Sequence, residues 1–177
     1  MKFSWFTLFL QTDPWIRFPL YAAIGWLAEI IFTAVADLVN PDFLRSWNVH
    51  SRTRTPLKPE WAIPGRDPRA AGYTFLWMLP IYGSMLFLEP IHDAIDAWPW
   101  FLRGMVYMWL IWFAEFVSGW LIQKISGCIP WDYSCSRFSF KGYIRWDFAP
   151  LWFCFGFVFE YFHPRLVALT PYLRAIF

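Results

Sequence analysis

One apolar run in this chain is written twice, and this duplication limits what the chain can fold into. The second copy carries Arg103, Tyr107, Trp112, Ala114 and Glu115, and identical residues stand 86 positions earlier (103 − 17) at Arg17, Tyr21, Trp26, Ala28 and Glu29. A second stretch repeats at an offset of 70 (142 − 72), where Gly72, Tyr73 and Pro80 match Gly142, Tyr143 and Pro150. The sequence therefore predicts two copies of one helix pair, and we expect function where the copies face each other.

Composition places these helices in a membrane. Of the 177 residues, 58% are hydrophobic and 24% are aromatic, which is too apolar for an ordinary soluble domain. We therefore predict an all-α membrane protein in which four transmembrane helices form two parallel helix-pair repeats. The formal net charge of +2 argues against a nucleic-acid partner, so the predicted partner is the lipid bilayer.

The predicted boundaries follow the apolar runs and the polar or proline-rich stretches between them. The expected segments are an interfacial N-terminal segment at 1–16, a first helix pair at 17–93 with a long polar loop at 40–71, a second helix pair at 94–164 and a C-terminal tail at 165–177. The second crossing is expected from Gly72 to about Asp93, with kinks at Pro80 and Pro90, and the fourth is expected to end near His163.

Basic residues set the predicted orientation. Ten of the fifteen Lys and Arg residues lie in or beside the loops 40–71 and 125–144, whereas five lie on the side of the termini. Because cytoplasmic loops carry an excess of Lys and Arg, we predict that both loops are cytoplasmic and both termini lie outside. The membrane itself is a plasma, inner or organelle membrane.

Four glutamates lie in the apolar runs and form the predicted intramembrane polar site: Glu29, Glu115, Glu89 and Glu160. Glu29 and Glu115 stand about 11 residues into their runs, roughly 16 Å deep, and Arg17 is too far along the helix axis to pair with Glu29. Buried carboxyls in membrane helices are functional candidates by default. The alternative is that neutral glutamates join helices, with Thr33 and Ser118 as local partners.

Each repeat also contains a Glu-x-x-His motif, Glu89 to His92 and Glu160 to His163. With one glutamate on each of the other two helices, this is the ligand count of a di-iron carboxylate bundle. The predicted depths differ by about 10 Å between the histidines and the deeper glutamates, which argues against one shared site. We therefore predict no cofactor. The four motif residues remain as an alternative metal site, and interfacial histidines beside snorkelling glutamates are the simpler interpretation.

The loop after the third helix carries Pro130, Trp131, Asp132, Tyr133 and Ser134 in sequence. Pro130 and Trp131 fit an interfacial turn, and Asp132 can accept hydrogen bonds from the backbone amides that follow it. Tyr133 can anchor at the depth of the lipid headgroups. We favour this structural interpretation over a catalytic one.

The surroundings of this motif carry a family resemblance over most of residues 17–163. In the second half it rests on Trp112-Phe-Ala-Glu115-Phe-Val-Ser-Gly119, on Gly127 to Ser134, and on Gly142, Pro150-Leu-Trp152 and Glu160; in the first half it rests on Gly25, Glu29, Phe32-Thr33, Ile81-Tyr82-Gly83 and Glu89. These residues resemble the family described as putative ABC-transporter type IV, which includes vertebrate transmembrane protein 229. The family name implies transport. This chain departs from the family pattern in its longer first loop.

Three functions are compatible with these observations. The first is a small, non-enzymatic subunit or scaffold that packs against other membrane subunits, or against a second copy, through its aromatic faces. The same faces are compatible with lipid or pigment contacts. The second is a transporter-like module that binds a proton or cation at the paired intramembrane glutamates. The third is a membrane di-metal carboxylate protein.

Overall fold

Helices form most of the described chain in the computed structural model, which describes residues 9, 12–39, 72, 74–134 and 136–176. The elements in chain order are α1 (Pro14–Val39), α2 (Met78–Gly83), a 3₁₀ helix (Ser84–Leu88), α3 (Glu89–Ile95), α4 (Trp100–Ser126), β1 (Ser139–Phe140), β2 (Ile144–Arg145), a second 3₁₀ helix (Trp146–Phe148) and α5 (Ala149–Arg174). The predicted loop 40–71 and most of the predicted interfacial segment 1–16 lie outside the described residues.

Two of these helices, α1 and α4, are long and apolar enough to cross a membrane. The qualifying stretches are Pro14–Ala36 and Trp100–Ser126, and 28% of the most apolar window in each is buried within the protein. The core helix of a soluble protein would be mostly buried, so these helices present their apolar side chains outward. The helix α1 begins at Pro14, which takes the first helical position, where its missing N–H has no helical partner to lose.

The second predicted crossing differs from the expectation in its start and in the effect of its prolines. It begins at Met78 instead of Gly72 and continues to Ile95 as α2, a 3₁₀ helix and α3. Pro80 lies in the first turn of α2, and Pro90 lies in the first turn of α3. A proline in a first turn removes no intrahelical hydrogen bond. Both prolines therefore lie where a helical segment begins, and neither interrupts a continuous helix.

The fourth helix is longer than predicted. We expected it to end near His163 and to be followed by a tail at 165–177, but α5 continues through Pro164 and Pro171 to Arg174. Its buried face continues as well, in steps of three and four positions, through Gly156, Phe159, His163, Leu166 and Thr170. This periodicity carries the helix past the prolines because the turns after His163 still bury side chains.

The chain divides into two compact units, and these do not coincide with the predicted repeats. The first unit takes the described residues within Met1–Trp26, Met78–Leu110 and Pro150–Phe177, and the second takes those within Leu27–Trp77 and Ile111–Ala149. Each unit therefore contains sequence from both halves of the chain. The core of the first unit is formed by Phe9, Tyr21, Leu86, Ile95, Tyr107, Phe159 and Leu166.

In the second unit, the predicted interfacial motif forms an internally bonded turn. Trp131 Nε1 donates to the Tyr143 carbonyl at 2.9 Å, and Asp132 Oδ1 accepts from the Ser134 backbone amide at 2.9 Å. The expected role of Asp132 is thus confirmed. Trp131 and Tyr133 are 5% and 4% exposed. The prediction that Tyr133 anchors at lipid headgroups is therefore wrong, because its side chain packs inside the unit.

A short hairpin follows this turn. Ser139 pairs with Arg145 and Phe140 with Ile144 in antiparallel register. The Arg145 guanidinium donates to Asp147 Oδ1 at 3.0 Å, and this hydrogen bond holds the pKa of the Asp147 carboxyl below its usual range. The hairpin and its ion pair lead the chain directly into α5.

Candidate functional site

A buried arginine at the start of α1 organises the first half of a polar site in the first unit. Arg17 Nε and Nη2 donate to the two carboxylate oxygens of Glu89 at 2.7 and 2.6 Å. Its remaining donors reach the Thr12 carbonyl, the Thr12 hydroxyl and the Thr170 hydroxyl at 2.7, 2.9 and 3.1 Å. Tyr21 donates its hydroxyl to Glu89 Oε1 at 2.9 Å. All five N–H groups of the guanidinium therefore have acceptors.

The second half of the site repeats this arrangement on α4 and α5. Arg103 Nε and Nη2 donate to the carboxylate oxygens of Glu160 at 2.7 and 3.1 Å. Tyr107 donates its hydroxyl to Glu160 Oε1 at 3.0 Å. Arg103 Nη1 also donates to the carbonyls of Asp96 and Trp98 at 2.8 and 2.7 Å. This pair is 20% and 15% exposed, whereas the side chains of Arg17 and Glu89 are 1% and 2% exposed.

The 3₁₀ helix before α3 compensates for a difference of one residue in length between the two halves of the chain. Glu160 follows Glu89 by 71 positions, whereas Pro150 follows Pro80 by 70, so the first half is one residue shorter between these points. The shorter half contains the five-residue 3₁₀ helix Ser84–Leu88. Five 3₁₀ residues turn by about 600°, the same as about six α-helical residues. Glu89 therefore presents the same face as Glu160 despite the missing residue.

The two histidines each contact the set from the other half of the chain. His163 Nδ1 lies 3.5 Å from both the Tyr21 hydroxyl and Glu89 Oε1. His92 Nδ1 lies 2.7 Å from the Tyr107 hydroxyl. The two imidazole rings meet edge to face, with centroids 5.0 Å apart. The histidines therefore join the two Arg–Glu–Tyr sets at their centre.

Phe159 and Asp93 hold the histidine pair. Phe159, 1% exposed, stacks on His163 with 9° between the ring planes and meets His92 edge-on at 6.1 Å. Asp93 Oδ1 lies 3.1 Å from His163 Nε2. The position 71 residues after Asp93 is Pro164, so this carboxylate breaks the symmetry of the site.

A cleft opens beside the first set. Its volume is about 630 Å³, and its lining includes Thr12, Arg17, Glu89, Asp93 and His163. The Asp93 side chain is 61% exposed, whereas that of His163 is 8% exposed. Asp93 is therefore the solvent-facing edge of the site, and His163 lies behind it.

A sequence model of the family described as putative ABC-transporter type IV matches residues 16–176. The chain belongs to this family. No solved structure matches the chain. The transport-related family and the two apolar helices together indicate a membrane protein. Within the family match lie both Arg–Glu–Tyr sets and both histidines.

In this family member, the structure brings four of the predicted site residues together and places the other two predicted glutamates in the second unit. Glu89, Glu160, His92 and His163 all lie in the site just described, within the first unit. Glu29 and Glu115 belong to the second unit, where Thr74 donates its hydroxyl to Glu29 Oε2 at 2.5 Å. The hydroxyls of Thr33 and Ser118 donate to the backbone carbonyls of Glu29 and Ala114, one turn earlier on the same helix, at 2.9 and 2.5 Å.

The carboxylates of the alternative metal set already have strong partners. Each oxygen of Glu89 and Glu160 accepts from an arginine, so neither carboxylate can bind a metal without giving up a bidentate ion pair. The histidines face these carboxylates through Nδ1, at 3.5 Å for His163 and 3.9 Å for His92. The chemistry of this donor set does not fit a di-metal carboxylate centre.

Sequence reasoning did not find the arginines, the tyrosines or Asp93 as site residues. Arg17, Tyr21, Arg103 and Tyr107 were visible as repeat markers, because identical residues recur at the same offset. That recurrence, together with the matching Glu89 and Glu160 of the two Glu-x-x-His motifs, was the signal for two ion pairs. Asp93 carries no such signal, because its equivalent position is a proline.

Proposed function

We propose that this protein is a non-enzymatic integral membrane component of a transport-related assembly, with four membrane crossings arranged as two parallel repeats. The observation that supports this most strongly is the pairing of both carboxylates, Glu89 and Glu160, with arginines in the two Arg–Glu–Tyr sets. Arg17 uses every N–H group, and both oxygens of Glu89 accept hydrogen bonds. Groups held in this way stabilise a fold and have no capacity left for acid–base chemistry.

The duplication supports two repeats and four crossings. The same three residue types play the same three roles in each half, which is expected if one helix pair was duplicated. α5 has 26 residues and is long enough, at roughly 39 Å, to cross a hydrocarbon core of about 30 Å. The continuous run Met78–Ile95 reaches roughly 30 Å because its 3₁₀ portion is more extended.

Buried ion pairs of this kind require the complete arrangement. Removing one partner from a buried pair leaves an uncompensated charge and costs about 3–5 kcal/mol. Each Arg–Glu pair joins two different helices of the first unit, α1 to α3 and α4 to α5. We therefore assign these pairs a structural role that holds the helices in register.

The surface of the described helices supports packing against lipid and other membrane proteins. Large aromatic side chains are exposed along α4, at Trp100, Trp109, Phe113 and Trp120. Lipid alone can cover such side chains, but a dense aromatic face also suits contact with another subunit. The proposed partners are other membrane subunits or a second copy of the chain.

Purification of the tagged protein in a gentle detergent, with the mass and composition of the particle determined by mass spectrometry, tests the subunit role. We expect a particle larger than the 21.2 kDa chain that contains fixed partner proteins. An untagged preparation processed in parallel identifies contaminants. A particle that contains a single copy of this chain alone would refute the proposal, whereas a homodimer would identify the second copy as the partner.

A transporter-like module that binds a proton or cation is the second candidate function. Because arginines neutralise Glu89 and Glu160, this candidate depends on Glu29 and Glu115. Substituting each with glutamine removes the charge and keeps the size. Unchanged ion or proton flux in the doubly substituted protein would exclude these residues as the transport site.

A further inference from the structure

Three potential metal ligands meet at the edge of the polar site. His92, Asp93 and His163 each offer one ligand atom, and these atoms all lie within 4.8 Å of one another. The separation of Asp93 Oδ1 and His163 Nε2 is 3.1 Å. Two ligands that bind one zinc ion at about 2.0–2.1 Å in tetrahedral geometry lie roughly 3.3 Å apart. This pair is thus already spaced for a shared ion.

We propose that His92, Asp93 and His163 bind one divalent transition-metal ion of the zinc type. Two imidazoles and one carboxylate are a donor set that suits zinc and its neighbours and does not suit calcium or magnesium. The proposal differs from the di-metal alternative because it uses Asp93 and leaves Glu89 and Glu160 with their arginines.

The hydrogen bonds of the site leave the second ring nitrogen of His92 for an ion. The single hydroxyl proton of Tyr107 is donated to Glu160, so the contact between Tyr107 and His92 Nδ1 requires the proton to be on Nδ1. In a neutral imidazole, Nε2 then carries the lone pair that a metal needs.

His163 is oriented in the same way from the other half. Its Nδ1 faces Glu89 and Tyr21, and its Nε2 faces Asp93. Metal-binding histidines usually donate their other ring N–H to a carboxylate or a similar acceptor, which fixes the ring. Glu89 and Tyr21 are therefore positioning residues for His163, as Tyr107 and Glu160 are for His92.

The position of Asp93 indicates how an ion can enter the site and why the described part of the second repeat has no equivalent site. Asp93 and His163 line the cleft of about 630 Å³, so an ion can enter from that side and keep a fourth coordination position for water or another ligand. Three protein ligands and one open position are typical of exchangeable or reactive sites. Because Pro164 occupies the position equivalent to Asp93, the described residues of the second repeat do not form an equivalent site.

The site goes beyond the subunit role and does not depend on it, since a subunit and a lone chain can both carry an ion. The test uses the full chain purified in detergent, stripped with a chelator and titrated with zinc chloride by calorimetry. Elemental analysis after gel filtration gives the stoichiometry. Cobalt(II) chloride provides an independent readout, because tetrahedral cobalt absorbs strongly in the visible range.

Asp93→Asn is the decisive variant, because the exposed Asp93 side chain can lose its charge without disturbing the core. Asp96→Asn is the matched control, because Asp96 is an exposed aspartate about one turn further along the chain. We expect one zinc ion per wild-type chain, affinity at least about tenfold lower in Asp93→Asn, and no change in Asp96→Asn. His92→Gln should lose the cobalt absorption. No zinc bound to wild type, or equal affinity in the two aspartate variants, would overturn the proposal.

Discussion

His92 and His163 come from different halves of the chain and meet with their ring centroids 5.0 Å apart. Each contacts the tyrosine of the opposite half, Tyr107 for His92 and Tyr21 for His163. The pair therefore links the two Arg–Glu–Tyr sets into one polar site within the first unit. Its buried surroundings make the stability of the protein sensitive to single changes in these sets.

The two ion pairs should differ in strength. Glu89→Gln leaves Arg17 buried with a neutral partner, and we expect a loss of about 3–5 kcal/mol in the free energy of unfolding. Glu160→Gln should cost less, because Arg103 is 20% exposed and water can solvate it. Thermal unfolding in detergent, monitored by circular dichroism, compares the two variants directly. Equal losses would contradict the difference in burial.

The Tyr21 hydroxyl should contribute a measurable part of this stability. Tyr21→Phe removes the donor to Glu89 Oε1 and keeps the ring, which is 2% exposed. Hydrogen bonds to charged groups contribute about 1.5–3 kcal/mol, so we expect a loss in that range. Tyr172→Phe is the control, because Tyr172 is 72% exposed. If the two variants unfold at the same temperature, the hydrogen bond has no net effect.

Close approach of α5 to α4 depends on a glycine. A Cβ atom at Gly156 would lie 2.5 Å from Tyr107 Cβ, so Gly156→Ala should push the helices apart and cost about 1–3 kcal/mol. At Gly119 the nearest atom, Tyr143 Cδ1, is 3.0 Å away, and alanine should be better tolerated there. The thermal midpoints of the two variants test this ranking. A more stable Gly156→Ala protein would show that the helices are not packed this closely.

Trp131 should stabilise the turn of the second unit. Trp131→Phe loses the hydrogen bond to the Tyr143 carbonyl, and the smaller ring leaves a space at a side chain that is 5% exposed. We expect faster hydrogen exchange of the backbone amides in residues 127–148. Trp120→Phe, at a position that is 46% exposed, is the matched control and should leave exchange unchanged. Unchanged exchange in Trp131→Phe would show that the turn is held by other contacts.

The sequence predicted the helices better than it predicted the residues of the site or their pairing. Long apolar runs located α1 and α4, and the repeat picked out Arg17 and Arg103. The count of Lys and Arg residues used to predict orientation treated both arginines as solvated charges on the side of the termini. Such a count cannot distinguish a buried arginine from a solvated one. Arg17 was correctly excluded as a partner of Glu29, but its partner Glu89 is 72 positions away and no local pattern connects them.

Other features were hidden for different physical reasons. Each histidine contacts the tyrosine of the other half of the chain, and these contacts depend on how the helices pack. The offset between the repeats contains no information about that packing. Tryptophan and tyrosine occur both at membrane interfaces and in cores, so the burial of Trp131 and Tyr133 could not be predicted from residue type. The continuation of α5 past Pro164 was hidden because a proline usually ends a helix.

The most direct test of the account is the membrane side of the two arginine-bearing helix starts. Equivalent roles for Arg17 and Arg103 require α1 and α4 to begin on the same side. Single cysteines at Asp13, Asp96 and Ser136, in a background without Cys128, Cys135 and Cys154, can be labelled with a membrane-impermeant maleimide. The account predicts that positions 13 and 96 react from one side and position 136 from the other. Reaction of positions 13 and 96 from opposite sides would contradict parallel repeats.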